Sequence, residues 1–225
     1  LKGGRDTEAR ATQDQSLLVA MLLSMPAATA LIAMAEPIVR ILFERGAFDA
    51  LATQQTAQAL IAFSTGLPAY VLIRVLQPGY FAREDTLTPT IFAGLSVVAN
   101  IGLSLLLFPS LVHVGIAIAT AVSAWLNAVL LGLFLHRRGH FALSGSEWRK
   151  HGLILLISAI MGAVLFGLAA RGAHHLATPA PLWEQVGVLA VLVGFGMVVY
   201  FTLVHVSGAQ PLGLLLGRLR RRRSP

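Results

Sequence analysis

The sequence predicts an all-α, polytopic transmembrane helix bundle of about six spans, and three observations predict it. Hydrophobic residues make up 56% of the 225-residue chain and charged residues only 12%, too few to cover a water-facing surface of this size. Six apolar stretches approach the roughly 20 residues that a helix needs to cross hydrocarbon. The basic residues fall unevenly between the two sides that alternating spans define.

The stretches come in order. The first is 16–35, interrupted by Pro26, after a segment 1–15. The second is 51–81 and contains Pro68 and Pro78. The third, 86–108, is closed by Pro109, and the fourth, 111–135, by His136, Arg137 and Arg138. An amphipathic connector 139–151, with Trp148 beside Arg149 and Lys150, reads as an interfacial anchor. The fifth and sixth spans are 152–170 and 183–205, within a final pair 152–207. The tail 208–225 sets leucines beside an arginine cluster and reads as a helix on an anionic leaflet. The short piece Pro37–Phe43 contains Arg40 and reads as an extension of the first helix or an interfacial turn.

Charge sets the expected orientation. Lys2, Arg5, Arg10, Arg83, Arg137, Arg138, Arg149, Lys150 and the five arginines from Arg218 to Arg223 share one side. Arg40, Arg45 and Arg171 occupy the other. The positive-inside rule places the rich side, with both ends, in the cytoplasm. An odd number of spans would scatter this asymmetry. The net charge of +7 sits at helix ends and forms no continuous basic face, so nucleic acid is not an expected partner.

Enzyme signatures are missing. The chain has no cysteine, no paired carboxylates within a span, no zinc-protease motif and no phosphate loop. No catalytic residue, cofactor or metal is expected, and the chain reads as beginning inside a longer protein. His174-His175 reads as a solvated loop pair and His205 as interfacial.

The polar positions of the second span stand out. Gln54 and Gln58 are four apart and share a face with Ile61 and Thr65. Arg74 lies deeper. Lipid does not tolerate such groups, so they look into the bundle or a wet cavity. Interhelical hydrogen bonding and substrate lining both account for the amides. Arg74 suggests an anion site, since its fork suits a phosphate or diphosphate, or else snorkels to the interface. Pro68 and Pro78 are hinge candidates or ordinary kinks. Asn100 and Asn127 sit mid-span, as helix-to-helix glue before cavity lining. Small residues crowd the fourth span and permit close backbone approach.

The run Leu42-Phe43-Glu44-Arg45-Gly46-Ala47-Phe48, then Gly66-Leu67-Pro68-Ala69, resembles the lipid II flippase family MurJ (MviN). So, most strongly, does Arg74-Val75-Leu76-Gln77-Pro78-Gly79-Tyr80-Phe81-Ala82-Arg83-Glu84-Asp85-Thr86-Leu87-Thr88-Pro89. That family lies within the multidrug, oligosaccharidyl-lipid and polysaccharide exporter superfamily. The resemblance is clear over residues 13–138 and covers the last two spans by position and hydropathy. It implies the C-terminal part of a fourteen-helix protein of the bacterial inner membrane, with its N-terminal half missing. It implies alternating access that moves an undecaprenyl-pyrophosphate-linked precursor, with the two last helices holding the lipid tail. Arg74, Gln54, Gln58, Thr65, Asn100 and Asn127 become cavity candidates, and Arg83 and Asp85 cytoplasmic gate candidates. Leu18 stands where some members carry a cavity arginine. A related exporter of drugs or polysaccharide lipids, and a non-transporting membrane scaffold, are the competing readings.

Overall fold

The computed structural model describes residues 2–139, 145–172, 176 and 181–208, with residues 2–12 and 146 as backbone alone. Among the described residues the longer elements are six helices: α1 (Lys2–Ala33), α2 (Ala35–Phe43), α3 (Ala50–Phe81), α4 (Leu87–Arg137), α5 (Gly145–Arg171) and α6 (Leu182–Val206). Each long helix follows an apolar run that satisfies its own backbone hydrogen bonds, as a hydrocarbon surrounding demands.

The 51-residue α4 is not one rod. Straight, it would reach about 76 Å. Instead Asn100 donates to the Ser123 hydroxyl at 3.1 Å, and the rings of Phe92 and Phe134 lie 5.5 Å apart. The chain folds back at Val112, where φ is 49° and ψ −124°. A branched side chain rarely adopts this conformation, which is the glycine position of a hairpin-type turn. Close by, a Cβ on Gly115 would meet the Leu107 backbone at 2.9 Å, so only glycine lets the two arms approach this closely. Among the described residues five helices are long and apolar enough to cross a membrane. With α4 doubling back, these make six passages of a multi-pass membrane protein.

α1 is the central strut. On one side Leu18, Leu22 and Met25 pack against Ile154, Ile157, Met161 and Leu165 of α5, with Tyr200 and Val204 of α6. On another side Leu17 meets Leu76 and Tyr80 of α3 and Leu131 and Leu135 of α4. α2 packs Ala35 and Val39 against Ala57. The second arm of α4 presses on α3 through Ala69, Ala124 and Ala128, and a Cβ on Gly66 would strike the Ala121 Cα at 2.9 Å. The first arm leaves Ile91, Leu95, Val98, Ile101 and Leu105 exposed, a face suited to lipid.

The helix bounds refine the sequence reading. Segment 1–15 continues into the first span as one helix, since α1 begins at Lys2. The connector from Gly145 onward forms the opening turns of α5. Pro37–Phe43 belongs to a helix of its own, α2, set off from α1 by Met34 at φ −112° and ψ 12°. Pro37 is tolerated there because it sits in the first turn, where an amide proton has no intrahelical partner. The His174-His175 pair and the arginine tail lie outside the described residues.

Candidate functional site

α3 carries most of the candidate residues and presents two exposed faces. Gln54, Gln58, Ile61 and Thr65 are exposed along the first. Phe63, Tyr70, Arg74 and Phe81 are exposed along the second. Nine residues separate Thr65 from Arg74, which at 3.6 residues per turn is half a turn out of phase. The structure therefore brings Gln54, Gln58 and Thr65 together and places Arg74 on the opposite side. Arg74 is exposed and makes no hydrogen bond or ion pair among the described residues.

The first face opens into a groove of about 340 Å³ between α3 and the second arm of α4. Gln58, Ile61 and Thr65 form one wall, and Val114, Ile118, Val122 and Trp125 the other. Polar side chains fix its walls. Trp125 Nε1 donates to the Thr65 carbonyl at 2.9 Å, His113 Nε2 lies 3.1 Å from the Gln55 carbonyl, and the Tyr80 hydroxyl donates to the Leu131 carbonyl at 2.6 Å. The paired helices thus form one stiff unit with a mainly apolar trough and two polar groups.

At the far end of that unit Glu84, at φ 60°, turns the chain out of α3 and into α4. Asp85 accepts from the Thr88 amide at 3.0 Å and the Thr88 hydroxyl at 2.8 Å. It also pairs with Arg138 Nη1 at 2.6 Å, while the Arg138 guanidinium lies 4.2 Å from the Phe134 ring centre. The Thr88 bonds, and then Arg138, hold the Asp85 carboxyl below the usual carboxylate range. Arg83 turns back to the Gly79 carbonyl of its own helix. Asp85 and Arg138 thus form a cross-link between distant segments, and Arg83 takes no part in it. Sequence reasoning missed Arg138 as a partner because it lies 53 positions further along the chain and no local spacing signals it.

Asn100 gives its amide protons to Thr120 at 3.3 Å and Ser123 at 3.1 Å, and its oxygen accepts from Ser104 at 3.2 Å. Its side chain therefore joins the two arms of α4. Asn127 is half-buried, and its Oδ1 has no hydrogen-bond partner among the described residues. α3 runs helically through Pro68, which is buried, and Pro78, which is exposed. Leu18 faces the packed seam with α5 and α6, where an arginine would be desolvated. No group of three or more His, Asp or Glu among the described residues could hold a metal ion.

A family model described as Lipid II flippase MurJ matches residues 2–185. A probable lipid II flippase MurJ from Rhizobium tropici is 42% identical over 223 residues, which are 99% of this chain and 42% of that protein. One from Rhizobium meliloti is 51% identical over 141 residues, 63% of this chain and 26% of that protein. A solved structure titled "Lipid II flippase MurJ, inward closed conformation" superimposes with a TM-score of 0.70 at 25% identity, covering 88% of this chain and 38% of its own. The chain thus spans well under half the length of each.

Proposed function

We propose, from the premise that this chain belongs to the lipid II flippase MurJ family, that it is the C-terminal part of a transporter for an undecaprenyl-pyrophosphate-linked cell-wall precursor. It works by alternating access in the bacterial inner membrane and makes or breaks no bond. Both ends of the segment are cytoplasmic, as the basic residues at Arg83, Arg137 and Arg138 favour, and anionic lipid headgroups are the partner that the composition of the arginine-rich tail suits.

The observation that carries the site assignment is Arg74. A guanidinium within a span, exposed and without a partner among the described residues, is costly facing lipid. It is economical only beside water or an anion. The side of α3 that bears Arg74 therefore faces the pathway and meets the diphosphate. Gln54, Gln58 and Thr65 lie half a turn away, on the groove side of α3, and are the rival pathway face, with Asn127 in the neighbouring arm of α4. Pro68 and Pro78 let α3 flex, and the Asp85–Arg138 pair closes the cytoplasmic end.

The test is growth of a strain that depends on the full-length protein. Arg74→Ala should abolish growth at normal membrane levels, and Arg74→Lys should retain part of it. Unimpaired growth of Arg74→Ala would remove the diphosphate role. If Gln58→Leu with Thr65→Val then proved lethal, the groove side of α3 would be the pathway.

A further inference from the structure

Pro26 lies inside α1, two turns before its end. Its nitrogen carries no proton, so the Leu22 carbonyl one turn back loses its helical donor. Leu22 is wholly buried, and no water reaches it to replace that donor. The Tyr200 hydroxyl, from α6 and 178 residues away, donates to this carbonyl at 2.8 Å. Tyr200 is 1% exposed. The Ser158 hydroxyl of α5 lies beside the same phenol and donates to the Ile154 carbonyl at 2.7 Å. The phenol thus joins α6 to α1, with α5 packed alongside, at the carbonyl that the proline disables.

Close packing around the junction allows this reach. A Cβ on Gly196 would stand 3.0 Å from Leu165, and one on Gly162 would stand 3.2 Å from the Thr29 Cβ. The stretch of α1 before the proline packs Leu17 against Leu76 and Tyr80, on the part of α3 that carries Arg74. Beyond α1, Ala35 and Val39 of α2 pack on Ala57 near the start of α3. Pro26 thus lies between two contacts on α3.

We propose that Tyr200 is a positioning residue for transport: its hydroxyl replaces the amide proton that Pro26 lacks, and that bond holds α1, and through it α3, against the final helix pair. The transport half of this proposal rests on the flippase reading, while the hydrogen-bond half does not. Tyr200 touches no substrate group in this role. It supplies a donor that the backbone cannot.

The test is a double-mutant cycle in the full-length protein. Tyr200→Phe should lower the thermal midpoint by roughly 2–4 °C and slow lipid movement several-fold at normal membrane levels. In a Pro26→Ala background the residue-26 amide can serve the Leu22 carbonyl, so the same change should cost little midpoint. Equal midpoint losses in both backgrounds, or wild-type transport by Tyr200→Phe, would overturn the proposal. Should Tyr200→Phe fail to accumulate, accumulation of the Pro26→Ala/Tyr200→Phe protein supports it and continued failure refutes it. Absence of lipid movement by the wild-type protein would strike the flippase reading instead, and the thermal cycle would still decide whether Tyr200 replaces the missing donor.

Discussion

Asp85 and Arg138 pair at 2.6 Å although they lie 53 positions apart in the chain. The bond joins the turn between α3 and α4 to the end of α4, and so closes one end of a three-stave unit. Asp85 also covers the start of α4 through Thr88.

Because Thr88 and then Arg138 depress the Asp85 pKa, the carboxylate's contribution is fully present above the unfolded value of about 3.9. It fades as pH falls through the lower folded value. Asp85→Asn should therefore lower the thermal midpoint at pH 7, and the gap from wild type should narrow below about pH 4. A gap independent of pH would show that the carboxylate charge is irrelevant. Exchanging the two residues (Asp85→Arg with Arg138→Asp) should recover part of the pairing but not the Thr88 bonds.

Glycine spacing yields a paired prediction. Gly66→Ala places a methyl 2.9 Å from the Ala121 Cα, which is backbone and cannot swing away. It should destabilise by about 1–3 kcal/mol. Gly94→Ala meets nothing within 4 Å and should be neutral or gain up to about 1 kcal/mol from helix propensity. Thermal denaturation in detergent ranks the two, and the opposite order would contradict the contact between α3 and α4.

Asn100 and Asn127 should differ. Asn100→Leu breaks bonds to Thr120, Ser123 and Ser104 and should cost about 0.6–1.7 kcal/mol, the range for interhelical bonds in membranes. The loss is limited because Thr120 and Ser123 also bond to carbonyls of their own helix. Asn127→Leu removes an oxygen with no partner among the described residues and should leave stability unchanged or raised while lowering transport. A stability loss at Asn127 equal to that at Asn100 would assign it a structural role.

Topology can be checked without substrate. Reporter fusions after Arg83 and Arg138 should read cytoplasmic, and fusions after Gly46 and Gly172 periplasmic. Opposite signals at Arg83 and Arg138 would be incompatible with the fold-back at Val112.

Much of the architecture was legible in the residues. α3 begins at Ala50 and ends at Phe81, where hydropathy and the closing polar run place it. Pro109 marks the break in α4, and the reversal occurs three residues later at Val112, since proline is at home beside a turn but does not itself make one. Less was legible at the site. Hydropathy registers that Gln58 and Arg74 lie in one span but not that they point opposite ways, a matter of phase along the helix. Leu18 was a departure from a motif until its burial against α5 and α6 explained it. The Asp85–Arg138 and Tyr200–Leu22 bonds were invisible because tertiary proximity, rather than spacing, creates both.

The corner at Val112 has a consequence for everything downstream. A chain that doubles back there delivers α5 to the compartment it left at the start of α4. Were that corner pulled straight into a continuous rod, the closing helices would be inverted and their connecting loops exchanged between compartments. A few residues with an uncomfortable backbone thus decide which solution meets the remainder of the polypeptide, whatever its composition.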